Sequence, residues 1–178
     1  MKRALTLLAA IGLLLASCSS TQSLQEYYID NSENPDFLSL DVPVSVLNLE
    51  EVELSEKQRE ALESFKKLNI LAFKKTEANG VSYQAEKAKV KQILKNSDFE
   101  ELMKMNTPMG KASVQFLGDD NAIDEVVIYG DSKERGFALI RVLGKDMSPA
   151  HFMEVLKAIE KSDYQGEGLE QLGEFLKG

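Results

Sequence analysis

One cysteine, Cys18, and one histidine, His151, occur in the 178 residues of this chain. A lone cysteine excludes an intramolecular disulfide, so the fold must rest on its own core. A lone histidine excludes a zinc centre built on two of them. Any Ser-His-Asp or Cys-His pair would have to use His151, which falls in the first turn of a predicted helix, where the positive end of the helix disfavours an imidazolium. We read it as a surface histidine. Positive charge is also scarce, with 21 basic residues against 29 acidic and a net charge of −8. No basic stripe for a phosphate backbone is present, which argues against nucleic-acid binding. Long apolar runs are missing too: the one near the start, Ala4 to Leu15, is shorter than the roughly 20 residues a membrane-crossing helix needs. No internal repeat is visible.

What is there begins with that short run. Lys2 and Arg3 precede it, and Leu15-Ala16-Ser17-Cys18 follows it. This is the layout of a bacterial lipoprotein signal over residues 1–17, cleaved before Cys18. Small side chains at Ala16 and Ser17 fit a peptidase cleft, and the Cys18 thiolate is the nucleophile that takes up a diacylglyceryl group. Acyl chains such as palmitate then hold the protein on the membrane, at about 0.8 kcal/mol per buried methylene. Ser19, rather than aspartate, follows the cysteine, which points to the outer membrane over the inner. No acidic cluster follows directly, which points to a domain facing the periplasm. Loss of Lys2 and Arg3 takes the net charge from −8 to −10, so lipid and not the domain surface must hold an acidic protein at an anionic bilayer.

The remaining chain is long enough for one domain with a real core. Residues 18–36 read as a flexible tether, and 37–178 as a single α+β domain with its core at about 55–161. Pro43 allows only an edge strand or an extended arm between Phe37 and Leu54. Ser55-Glu56-Lys57-Gln58 is a capping box opening a helix to about Leu68. Asn69 to Lys75 reads as a strand covered on both faces. A helix from about Ser82 is predicted to bury Ala85, Ala88, Ile93 and Leu94. A second capping box at Ser97 to Glu100 predicts a short helix burying Phe99, Leu102 and Met103. Three strands in a meander follow, around Ala112–Phe116, Ile123–Tyr129 and Phe137–Leu143. Ser148 and Pro149 open another helix burying Phe152, Val155, Leu156 and Ile159, and Leu169 to Leu176 suggests a short terminal one. The pattern predicts about four mostly antiparallel strands with helices packed on one face.

No cofactor motif survives inspection. Gly110-Lys111-Ala112-Ser113 lacks the earlier glycine and the metal-binding hydroxyl of a phosphate-binding loop, and Gly166-Glu167-Gly168 has no strand before it. Asp119, Asp120 and Asp124, with Asn121 and Glu125, form an acidic hairpin that offers oxygen ligands to calcium. The EF-hand spacing fails there, since Ile123 occupies a ligand position, and a solvated turn explains the residues equally. Arg141 lies within an apolar strand on the face of Phe137, Leu139 and Leu143. Burial there requires a carboxylate, which Glu125 or Asp124 on the neighbouring strand can supply.

Several stretches, taken in order, carry a resemblance: Leu68-Asn69-Ile70-Leu71-Ala72-Phe73-Lys74, Glu86-Lys87, Glu101-Leu102-Met103, Ala122 to Gly130, and Gly136 to Gly144. Together they resemble the uncharacterised bacterial envelope lipoprotein family built on domain of unknown function 4252, over roughly Phe37 to Lys161. The resemblance implies a lipid-anchored domain of this size and brings no activity, cofactor or site residue with it. The sequence therefore leads us to expect a non-catalytic periplasmic binding or accessory domain, anchored through lipid on Cys18 and engaging an envelope partner. Two alternatives remain open at this point. One is a hydrolase or small-ligand enzyme using carboxylates from Asp119 to Glu125, Asp131 or Glu134. The other is a calcium-dependent structural module.

Overall fold

A computed structural model describes residues 22–47, 49, 52–95, 98–107, 110–119 and 122–161, together with 170, 171 and 174. Ser23 opens helix α1 (Leu24–Asn31) through a capping box with Glu26, in which each side chain takes up the other's free amide. Residues 24–31 were assigned to the tether on sequence grounds, and this corrects that reading. Tyr27 and Tyr28 are the reason, since both rings are buried against the sheet. Strand β1 (Phe37–Pro43) follows and lies at a sheet edge, where the missing amide of Pro43 costs no ladder bond. A single 3-10 turn, Val44–Leu47, leads on.

Helix α2 (Glu56–Glu63) starts at the Ser55–Gln58 capping box. It ends five residues before the expected Leu68, because Ser64 turns its hydroxyl onto the Ala61 carbonyl and Phe65 already enters a strand. That strand, β2 (Phe65–Lys74), pairs along almost its whole length with the last strand of the sheet, Gly136–Met147. Helix α3 (Gly80–Ile93) buries Tyr83, Val90 and Ile93, while Ala85 and Ala88 point to solvent. The expected second short helix is absent: Glu100–Thr107 is strand β3. A helix that short has too few internal bonds to stand alone, whereas pairing with the next strand gives the backbone partners from Glu100↔Phe116 to Thr107↔Gly110.

Strands β4 (Gly110–Asp119), β5 (Ala122–Ser132) and β6 (Gly136–Met147) complete a four-strand meander. Gly136 sits at φ +123°, and a Cβ there would fall on the Phe73 carbonyl oxygen, so the turn into β6 requires glycine. Helix α4 (Pro149–Lys161) closes the described fold, with Phe152 N–H donating to the Ser148 carbonyl at 2.9 Å. Of the terminal helix expected at Leu169 to Leu176, the described residues Glu170, Gln171 and Glu174 are helical, while Leu169, Leu172, Phe175 and Leu176 lie outside the described residues, as do Cys18 and the signal before it.

The class is α+β, with six antiparallel strands in the order β1-β2-β6-β5-β4-β3 rather than about four. The two additional strands are β1 and β3, one at each edge. Helices also occupy both faces rather than one. On the first face, α1 and α3 cover Leu71, Phe73, Val127, Tyr129, Phe137 and Leu139. Stacked rings of Phe73 and Phe137, 5.5 Å apart, mark its centre, with Phe37 edge-on to Phe73 at 5.0 Å. The second face carries α4 over Val114, Phe116, Val126 and Val142, with α2 beside α4. Alternation along central strands that are apolar on both sides requires this second layer.

Candidate functional site

Helix α3 crosses the first face only as far as β5, and β4 and β3 run on beyond it. No residue of β3 or β4 belongs to the buried cluster beneath α1 and α3. The step leaves an open groove of about 590 Å³, within the size range of small-ligand sites. Its wall is the end of α3, with Lys91, Leu94 and Lys95. Its floor is Ser113 and Gln115 of β4 with Tyr129 and Asp131 of β5, and Glu101, Lys104 and Asn106 rim it on β3. Gln115 Nε2 donates to the Leu94 carbonyl at 3.0 Å, which satisfies a carbonyl at the helix end and fixes the wall to the floor.

Four lysines meet here: Lys91 from the last turn of α3, Lys95 just past its end, Lys104 from β3 and Lys111 from β4. Lys104 is engaged by Glu101 three residues before it. The other acid of the groove, Asp131, takes Lys87 Nζ at 2.6 Å and the Tyr83 hydroxyl at 2.8 Å. Lys91, Lys95 and Lys111 therefore have no ion-pair partner among the described residues. Lys91 lies in the last turn of α3, where the carbonyl end of a helix favours a cation. That accounts for Lys91 and not for Lys111, which comes from the sheet.

Beside the lysines is a buried donor. Tyr129 is 7% exposed, and its Oη, withdrawn from water, has no hydrogen-bond partner among the described residues. Burial first, and then the negative charge of Asp131, push its phenol well above the ordinary tyrosine range, so it keeps its proton at any physiological pH. Tyr83 is raised in the same way, by burial and by its bond to Asp131. For Lys87, burial pulls downward, but bonds to Asp131 and Tyr83 outweigh it and its pKa rises. The Lys87–Asp131–Tyr83 group is a closed set of mutual partners, and Tyr129 is left out of it.

Arg141 and Glu125 meet directly, Nε on Oε1 at 2.6 Å and Nη2 on Oε2 at 2.7 Å. The pair is buried, and the Tyr28 ring lies 5.3 Å from the guanidinium. Tyr28 Oη reaches the Leu139 carbonyl oxygen at 2.8 Å, so α1 seals the pair as well as the aromatic core. Asp124 is exposed on the opposite side of β5, as is Asp119 at the end of β4, while Asp120 and Asn121 lie outside the described residues. Among the described residues no group of three or more His, Cys, Asp or Glu is placed to hold a metal ion. Glu134 is exposed in the β5–β6 turn, and His151 is exposed on α4. The described acids considered for catalysis thus do not converge: Glu125 is committed to Arg141, Asp131 to Lys87, and Asp119, Asp124 and Glu134 are each exposed.

The groove itself escaped the sequence reading, which found no basic stripe. Half of the signal is present, since Lys87 and Lys91 lie four residues apart on one face of α3 and Lys95 follows at the same spacing just past its end. Lys104 and Lys111 join them only through the pairing of β3 with β4, a register that no local pattern reveals.

No helix among the described residues is long and apolar enough to cross a membrane. No curated protein and no solved structure matches the chain. A family model does match, over residues 27–155, a span that runs from α1, through both faces of the sheet and the groove, to the middle of α4. The chain belongs to the family described as Domain of unknown function (DUF4252).

Proposed function

We propose that this protein is a lipid-anchored, non-catalytic binding domain of the bacterial cell envelope. In this reading Cys18 carries the anchor, the domain faces the periplasm from the outer membrane, and the groove beside α3 is its binding surface. One observation carries the assignment of the surface: three lysines without an ion-pair partner among the described residues gather in one concavity of a chain whose net charge is −8. Like charges repel, so clustering them lowers stability unless something anionic occupies the space between them. The lining supplies fixed donors and cations around an open space, and its acids are each held by a neighbouring cation, which suits retention of a ligand better than its chemical conversion.

Site-specific photo-cross-linking in intact cells tests this. A photoreactive residue at Ser113, on the groove floor, should give a discrete adduct, and one at Val46, exposed on the 3-10 turn, should not. Identical adduct patterns from the two positions would remove the groove as the binding surface. Recovery of the protein without lipid on Cys18 would remove the anchor.

A further inference from the structure

We infer that the groove takes a phosphate-bearing ligand, with Lys91, Lys95 and Lys111 around the phosphate and the Tyr129 hydroxyl donating to it. This rests on the groove being the binding surface, as proposed above, and adds the ligand's chemistry. The first argument is charge. Three ammonium groups without an ion-pair partner among the described residues call for an anion carrying more than one charge; a phosphomonoester carries about −1.5 to −2 at neutral pH, a carboxylate only one. The second is donor type. The groove is lined by lysines and no arginine, and lysine binds phosphate as a point charge from any direction, without the planar fork that arginine offers to carboxylate and phosphate alike.

The third argument is Tyr129. A buried hydroxyl without a partner requires an explanation in a native protein. Polar groups of the two strands beside it are already engaged, Asp131 by Lys87 and Tyr83 and Gln115 by the Leu94 carbonyl. The phenol remains protonated and its residue lines the groove, so a ligand that displaces the side chains over its buried oxygen meets a hydrogen-bond donor. Leu94 and Ala112 add apolar lining, which gives the rest of the ligand a non-polar surface. A lipid head group and a free phosphoester share this chemistry.

The test uses the full-length acylated protein in detergent, titrated with pyrophosphate and with citrate, and separately incubated with phosphatidylcholine vesicles with or without phosphatidic acid. Pyrophosphate should raise the melting temperature in a saturable way, and citrate should be much weaker. Combined Lys91→Gln, Lys95→Gln and Lys111→Gln should weaken binding by tenfold or more, and Tyr129→Phe by about tenfold. Lys57→Gln, Lys66→Gln and Lys145→Gln, exposed elsewhere on the domain, should leave it unchanged. The acyl anchor holds the protein on both kinds of vesicle, so a melting temperature higher with phosphatidic acid than with phosphatidylcholine alone identifies a lipid head group as the source, and a response to pyrophosphate alone identifies a soluble phosphoester. Absence of both responses, equal response to citrate, or insensitivity to the groove lysines overturns the inference. An unchanged affinity in Tyr129→Phe overturns the role given to that hydroxyl. A discrete adduct at Ser113 that contains no phosphate would sink this inference and leave the binding surface standing.

Discussion

Replacing Arg141 by methionine probes what holds the first face of the sheet together. The guanidinium and the Glu125 carboxylate have side chains only 10% and 9% exposed, so solvent screens their attraction little. Methionine fills much of the same volume but leaves the Glu125 carboxylate buried without its cation, which costs about 3–5 kcal/mol. Loss of the contact with the Tyr28 ring adds about 0.5–1 kcal/mol. Against a total stability of about 5–15 kcal/mol, this is a large fraction, and it corresponds to a fall in melting temperature of roughly 10 °C. Urea unfolding followed by circular dichroism measures it. Pairing the change with Glu125→Met removes the stranded charge, and the double variant should recover to within about 1 kcal/mol of the parent. An Arg141→Met protein as stable as the parent, or a double variant no better than the single, would refute the view that the pair is structural.

Three further outcomes follow from the same structure. Tyr27, Tyr28, Tyr83 and Tyr129 all have pKa values raised above the ordinary 10.0, with burial the leading cause in each. Their contribution is complete below that value; above it the unfolded chain ionises first and binds fewer protons, so stability falls as pH rises. Phenolate absorbance should therefore appear together with unfolding in alkali, and ionisation of these tyrosines in a still-folded domain would contradict the burial argument. Gly136→Ala should cost roughly 1–3 kcal/mol from its positive φ alone, and more from the clash with the Phe73 carbonyl; a thermal melt unchanged from the parent would show that the turn into β6 is not constrained. Tyr83→Phe breaks the bond to Asp131 and should cost about 0.5–1.5 kcal/mol, read by the same urea titration; no loss would mean that Asp131 is held by Lys87 alone.

Local signals were readable in the sequence where a single short stretch determines the outcome. The Ser55–Gln58 capping box, the Ser148-Pro149 helix start and the alternation of the last three strands each depend on a few adjacent residues. Strand β3 was misread as a helix because Met103 and Met105 reveal their alternation with Lys104 and Asn106 only when β4 supplies the partner. Helix α1 was misread as tether because its two buried tyrosines give too short a pattern without the sheet they cover. A second helical layer was implicit in strands apolar on both sides, such as Ile70 to Phe73, yet its placement depends on how α2 and α4 return across the sheet. The groove is the extreme case, because it arises from where α3 stops relative to β4, a distance that no residue encodes by itself.

The proposed function and the ligand chemistry both turn on one point: groove lysines with no ion-pair partner among the described residues meet an anion. Nitrogen-15 spectra of the lysine side-chain amines, recorded on the full-length protein as pyrophosphate is added, test it most directly. The account predicts large, saturable shifts confined to Lys91, Lys95 and Lys111, with Lys57 and Lys66 unmoved. Small shifts spread evenly over all exposed lysines, or none at all, would contradict it.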